Sequence, residues 1–416
     1  MTNSGGPRIL IVGAGPTGSV TAIALRRELP LADVTVIDQA TFPRDKTCGD
    51  GLGPGARRVL MGIGLGDVLA RFNTPVSVAV TGPGDVEASA VGPVIGGRDF
   101  TGYVAPRREL DAILAEAAAD AGATVRTGVK FETVEMDGDT ALVGLVDPVS
   151  GRRQERFDLV VGADGAYSAV RRAIGIDRPA MERTHIAMRS YATITHPEKP
   201  VGDTLRLDFI DALLPAYGWV FPLPDNRANI GVGLPVSTLK KKGLKLPALL
   251  DTYVADLARR GYVVTDQERV ASHQLPHAAA KQPMTTEAFG VVLLGDAASM
   301  INPFSGEGIF YGMAAGVQLA EHLRDAASAT GPGALRGRPL AQTLRQFEKS
   351  FRRRFTRHYR NCYTAHTFMR SRSWARIAVG AAARDEATMT LGALMMFDEE
   401  SISPAGFLST AIRGLS

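Results

Sequence analysis

Arg8-Ile9-Leu10-Ile11-Val12-Gly13-Ala14-Gly15-Pro16-Thr17-Gly18 is the stretch on which the fold turns. Its apolar start suits a strand buried on both faces. Glycines follow at once, and 19–27 continue as a helix-like segment. A second apolar run, Val34-Thr35-Val36-Ile37, then ends in Asp38. Strand, glycine turn, helix, strand and terminal acid in this order make a βαβ unit with the acid about 20 residues after the last glycine, the pattern that binds a dinucleotide. Gly13 permits the tight turn, Gly15 lets backbone approach a pyrophosphate, and Gly18 lets helix pack on strand. The helix start offers free N–H groups and a positive dipole end to phosphate. Asp38 is placed to accept hydrogen bonds from a ribose diol; a plain turn would leave it unexplained.

Gly62-Ile63-Gly64-Leu65-Gly66 has no strand before it and reads as a helix end and turn. Only one dinucleotide fingerprint is therefore present, so NAD(P)H or another reductant would have to bind transiently. A chain of 416 residues exceeds one hydrophobic core. Its 45% hydrophobic and 22% charged residues exclude disorder as the main state. Two cysteines, Cys48 and Cys362, cannot build a disulfide framework or a four-ligand zinc site, and no metal site is expected. With no signal peptide and no apolar run of about 18 residues, the expected location is cytoplasmic, with peripheral membrane contact left open. The net charge of +4 is small, but 345–376 gathers basic residues around a single acid, Glu348. Nucleic-acid binding is not expected, because no reader motif accompanies that charge.

The remaining pattern is α/β. A Rossmann-like domain is expected from 1–75, 104–175 and 275–330, with a helix at 108–121, strands at 124–126 and 141–146, and buried runs Phe157-Asp158-Leu159-Val160-Val161 and Gly290-Val291-Val292-Leu293-Leu294. A β-rich (α+β) substrate domain is expected from 76–103 and 176–274, inserted between those segments. Residues 331–416 read as a C-terminal helical segment after the linker or loop tip Gly331-Pro332-Gly333. There Phe347, Phe351, Phe355, Tyr359 and Tyr363 recur every four residues, either as a core stripe with a solvated basic face or as a membrane-docking face.

Three segments in order, the glycine fingerprint, Asp164-Gly165 and Gly295-Asp296, resemble the FAD-dependent enzymes related to p-hydroxybenzoate hydroxylase. Pro43-Arg44-Asp45-Lys46-Thr47-Cys48-Gly49-Asp50-Gly51 and Tyr217-Gly218-Trp219-Val220-Phe221-Pro222, with Gly231-Val232-Gly233 nine residues on, resemble the signatures of the geranylgeranyl reductase family. The resemblance covers residues 8 to about 330 and implies FAD as cofactor. It implies Asp296 as acceptor for ribityl hydroxyls and Arg107, in Arg107-x-x-x-Asp111, as an FAD contact. Asp164 would join them, or else fix a turn. Gly306, Gly308 and Ile309 would open a helix whose free N–H groups meet the flavin pyrimidine edge. The glycines beside Cys48 would let that loop, Gly49 included, lie against the isoalloxazine.

Tyr217, Trp219 and Phe221 alternate, so they share one strand face, as core packing or as a wall for an apolar unsaturated substrate. On the functional reading Cys48, Tyr217 and Trp219 are the catalytic candidates; the two aromatic faces could stabilise cationic character on a protonated alkene. The resemblance implies reduction of isoprenoid C=C bonds by hydride from reduced flavin. The alternatives are a flavin monooxygenase of a prenylated or aromatic metabolite, a flavin halogenase, and a non-catalytic prenyl-binding module on a related fold, as in Rab GDP-dissociation inhibitors. Expected partners are an apolar small-molecule or lipid substrate and an electron-donor protein.

Overall fold

A computed structural model describes residues 5–92, 94, 95, 97–199, 201–286, 290–331, 335–399, 403, 405, 406 and 409. The opening stretch forms the strand Arg8–Val12 and the helix Pro16–Glu28, followed by the strand Asp33–Asp38. Arg8–Val12 lies at the centre of a five-stranded parallel sheet. Its order is Val291–Leu293, Leu159–Gly162, Arg8–Val12, Asp33–Asp38, Thr124–Thr127. Val12 is paired with both Ile37 and Gly162, so the strand ends that carry Gly13, Asp38 and Ala163 come level on one edge. Helices pack on this sheet, as parallel strands buried on both faces require. The expected 157–161 run divides at Asp158. Phe157 ends the strand Gly151–Phe157 of a three-stranded antiparallel sheet, and the parallel strand starts at Leu159.

A second, eight-stranded sheet draws on 77–91 and 184–276. Tyr217–Pro222 pairs with Arg227–Pro235 on one side and Thr204–Asp208 on the other, which sets Leu207 beside Trp219 and Trp219 beside Gly231. The helix Leu246–Arg259 backs this sheet, with Leu250, Tyr253 and Leu257 buried in its core.

The C-terminal segment forms helices Gly337–Met369, Arg372–Ala382 and Glu386–Phe397. Phe347, Phe351, Phe355 and Tyr359 are buried in the core of the parallel sheet, and Phe355 meets Tyr311 edge-on at 5.3 Å. The first four members of the stripe are therefore core, while Tyr363 is half-buried against His277 and Arg183, and Arg345, Lys349, Arg353, Arg357 and Arg360 lie exposed. Farther along the same helix Cys362, Ala365 and Met369 join the cluster that contains Tyr217 and Trp219. One helix thus packs on both cores. Pro332 and Gly333 of the expected linker lie outside the described residues. Among the described residues no helix is long and apolar enough to cross a membrane, and no group of His, Cys, Asp and Glu is arranged to hold a metal ion.

Candidate functional site

One cavity of about 1580 Å³, its open mouth included, runs between the two sheets. One wall carries Gly15, Thr17, Arg107, Asp296, Gly306, Gly308 and Ile309; the other carries Tyr217, Trp219 and Phe221, with Cys48 and Gly49 between.

The cofactor wall is built from the glycine turn outward. Gly13 adopts φ +104°, and a Cβ there would lie 2.4 Å from the Ala163 carbonyl oxygen, so only glycine closes this turn. Ala14 N–H donates to Asp38 Oδ2 at 3.0 Å and Ala40 N–H to Asp38 Oδ1 at 2.9 Å. Arg107 is buried and clamps Asp111 through two bonds of 2.6 and 2.7 Å. Arg44 bridges Asp111 at 3.0 Å and Asp38 at 3.4 Å. A Cβ built on Gly295 would lie 2.8 Å from Thr17 Oγ1, so the first and last glycine turns touch. Asp296 faces Lys46 Nζ at 3.7 Å.

Two expectations are revised here. Asp164 does not line the cavity, although Ala163 and Gly165 beside it do. Its Oδ2 accepts the N–H groups of Ala169 and Val170 at 2.6 and 3.1 Å, so the carboxylate serves the start of the short helix Ala169–Ala173. The N–H groups expected to lie free at the start of helix Ile309–Thr330 are partly used: Phe310 N–H donates to Glu307 Oε1 at 2.8 Å. Burial pushes the Glu307 carboxyl up to about 7, against the pull of those helix N–H groups.

The aromatic wall rests on glycine. Successive ring centroids of Tyr217, Trp219 and Phe221 are 6.0 and 6.4 Å apart. A Cβ on Gly231 would lie 2.2 Å from Trp219 Cζ2, and one on Gly233 would lie 3.3 Å from Tyr217 Cε1. The rings lie over the neighbouring strand where side chains would otherwise stand. Trp219 Nε1 donates to Asn229 Oδ1 at 3.0 Å, and Asn229 Nδ2 donates to Cys48 O at 2.7 Å and Asp50 Oδ2 at 2.8 Å. Tyr191 OH donates to the same Asp50 oxygen at 2.6 Å. Burial holds Asp50 at about 6 even against these donors. Burial also raises the Cys48 thiol, with Arg107 opposing, which favours thiol over thiolate.

Lys46, Arg189, His273, Leu207 and Phe397 also line the cavity, and sequence reading singled out none of them. Lys46 stood inside the quoted 43–51 segment; the others carried no local signal.

FAD fits these residues. A Cβ built on Gly15 would meet Arg107 NH2 at 3.6 Å and Arg44 NH2 at 3.8 Å, so the bare backbone of the glycine turn lies beside two guanidinium groups, where a pyrophosphate would be held. Beyond it the cavity continues to Asp296 and the helix start.

The sequence matches the family model described as FAD binding domain over residues 7–336. It is 37% identical over 325 residues to the menaquinone reductase of Mycobacterium tuberculosis, covering 76% of each chain. It is 29% identical over 371 residues to the chloroplastic geranylgeranyl diphosphate reductase of Oryza sativa subsp. japonica, covering 83% of this chain and 72% of that one. The fold superposes on a geranylgeranyl bacteriochlorophyll reductase-like protein from Thermoplasma acidophilum with a TM-score of 0.78 at 20% identity, covering 97% of this chain and 95% of that one.

Proposed function

We infer, from the premise that this chain belongs to the geranylgeranyl reductase family of FAD-dependent oxidoreductases, that it reduces a C=C bond in the prenyl chain of an apolar substrate. The observation that carries this reading is the aromatic wall on glycine, facing the Gly15, Asp296 and Ile309 side across one cavity. Residues 5–75, 104–175 and 275–330 would form the FAD-binding unit, and 76–103 with 176–274 the substrate unit.

Gly13, Gly15 and Gly18 would admit the pyrophosphate, Asp38 the adenosine ribose, Arg107 and Asp296 the central part, and Gly306, Gly308 and Ile309 the flavin edge. Bound FAD, once reduced, supplies a hydride. The protein's own residues then do the rest. Tyr217, Trp219 and Phe221 hold the alkene, exclude water and present ring faces to developing positive charge, a contribution of about 2 kcal/mol when desolvated. The 48–51 loop touches this wall, since a Cβ on Gly49 would lie 3.2 Å from Phe221. Among the cavity-lining groups that can carry a proton, Glu307 and Cys48 are both held toward their protonated forms by burial.

A transient reductant such as NAD(P)H, or a donor protein, would reload the cofactor. Oxygenation of the same alkene would use the same cavity, and product analysis separates the two. Turnover with a prenylated naphthoquinone is expected to yield a product that has gained two hydrogens in its prenyl chain, with the quinone ring unchanged. A product that has gained an oxygen atom would favour the monooxygenase reading.

A further inference from the structure

The long helix Gly337–Met369 buries its aromatic stripe and turns a different face to solvent. That face carries Arg338, Arg345, Lys349, Arg353, Arg357 and Arg360, all exposed. At about 100° per residue the six fall within about 120° of the helix circumference, in a row about 33 Å long. The exposed positions among them hold only Pro, Gln, Thr and Arg354, so none is acidic. Glu348, the one acid of the helix, is turned away: its carboxylate takes Arg352, the Met284 N–H and the Thr285 hydroxyl.

None of the six cations has an ion-pair partner among the described residues. Exposed arginines elsewhere do, as in Arg156 with Asp137, Arg259 with Asp85 and Arg324 with Glu28. Arg345, Lys349, Arg353 and Arg357 stand four residues apart, so each repels the next along the helix. A face that served solubility alone would mix its signs, which removes that repulsion and keeps the hydration.

At its end the row changes character. Phe368 is 44% exposed, and Trp374, at the start of the helix Arg372–Ala382, is 38% exposed. Their ring centroids lie 5.3 Å apart. The cations alone would suit any polyanion; the rings select a surface with an apolar layer beneath its charges, which is the headgroup region of a bilayer containing anionic lipid. The same helix reaches the rim of the cavity. Phe397 lines the cavity, and the two residues after it are held by ion pairs, Asp398 to Arg58 and Glu399 to Arg354, each at 2.7 Å.

We propose that this helix face docks on an anionic lipid bilayer, the six cations meeting the headgroups while Phe368 and Trp374 enter the interfacial layer. Docking brings the Phe397 rim close to the lipid from which an apolar substrate would come. The proposal rests on the preceding reading only for that consequence; binding to lipid is tested without substrate.

The FAD-loaded enzyme is sedimented with vesicles of phosphatidylcholine alone and of equal parts phosphatidylcholine and phosphatidylglycerol. The wild type is expected to pellet with the anionic vesicles and to stay in solution with the neutral ones. Salt at about 1 M, where the screening length is about 3 Å, should release it. R353Q/R357Q should bind the anionic vesicles about 30-fold more weakly, from about fivefold for each cation removed. Its flavin content should match the wild type, and its thermal midpoint should hold or rise as the repulsion along the row is relieved. Brominated phosphatidylglycerol should quench Trp374, since Trp219 is buried, and W374F should lose that quenching. Equal or no binding to the two vesicles would overturn the proposal, as would anionic binding that R353Q/R357Q leaves unchanged. So would vesicle binding without quenching of Trp374, or preference for soluble polyglutamate over vesicles, which would make this a face for an acidic protein. Substrate reduction in detergent tests the cavity reading separately, so either can fail without the other.

Discussion

Gly231→Ala is the sharpest probe of the aromatic wall. The added Cβ would stand 2.2 Å from Trp219 Cζ2, 2.6 Å from Trp219 Cη2 and 2.5 Å from the Met188 carbonyl oxygen. Ordinary carbon contacts begin at about 3.5 Å, so the indole must retreat by more than an ångström. The Met188 oxygen belongs to the adjacent strand Thr184–Thr195 and cannot rotate away. Overpacking of this kind costs about 1–3 kcal/mol. Moving the indole also stretches its bond to Asn229 and disturbs the contact with the 48–51 loop. Denaturant unfolding should therefore show a loss of about 2 kcal/mol. Trp219 emission, read in a Trp374→Phe background because Trp374 is the other tryptophan, should shift. Substrate affinity should fall while FAD affinity holds, because Gly231 does not line the cavity and lies away from the Gly13 turn. Unchanged stability and emission would show that the glycine is not what seats the ring, and the explanation of the Gly231-Val232-Gly233 signature would fail.

Two further outcomes follow from the site. Asp50 holds its proton up to about 6 in the folded chain, against 3.8 for an unperturbed aspartate, so between these values the native state binds a proton that the unfolded chain has released. The contribution of Asp50 to stability should thus fall by about 3 kcal/mol as pH rises through that window, read as the difference between wild type and D50N because Glu307 and the buried His277, His358 and His366 titrate over an overlapping range. D50N keeps an acceptor for Tyr191 and Asn229 but should lack this slope, a difference visible in unfolding curves at pH 4 and pH 7; parallel profiles would contradict the assignment. Asp296→Ala should purify with little bound flavin, measured by the ratio of flavin to protein absorbance, and full yellow occupancy would remove Asp296 from the cofactor.

What could be read from the sequence was what is local. The strand, glycine turn, helix and Asp38 are adjacent in the chain, and each step has its own physical reason. Tyr217, Trp219 and Phe221 share a face because strand side chains alternate. The rest of the cavity depends on pairing between distant segments. Leu207 reaches the wall because Thr204–Asp208 pairs with Tyr217–Pro222. Arg189 arrives through the register of Thr184–Thr195 against Arg227–Pro235, and Phe397 through the fold-back of the last helices, which carry no motif. Local acid chemistry misled in two places. Asp164 sits in a segment that reads as cofactor-facing, yet its carboxylate caps its own following helix. Glu307 reads as part of a glycine-rich helix start, and its side chain turns back onto the donors expected to be free.

The central claim is that electrons pass from bound, reduced FAD directly into a prenyl double bond. Stopped-flow mixing of photoreduced holoenzyme with a prenylated naphthoquinone under strict anaerobiosis, comparing a substrate whose prenyl chain is unsaturated with one fully saturated, tests it. Flavin absorbance should return with the unsaturated substrate and yield a reduced chain with the ring intact. Reoxidation that requires O2, or that proceeds equally with the saturated chain, would contradict the account.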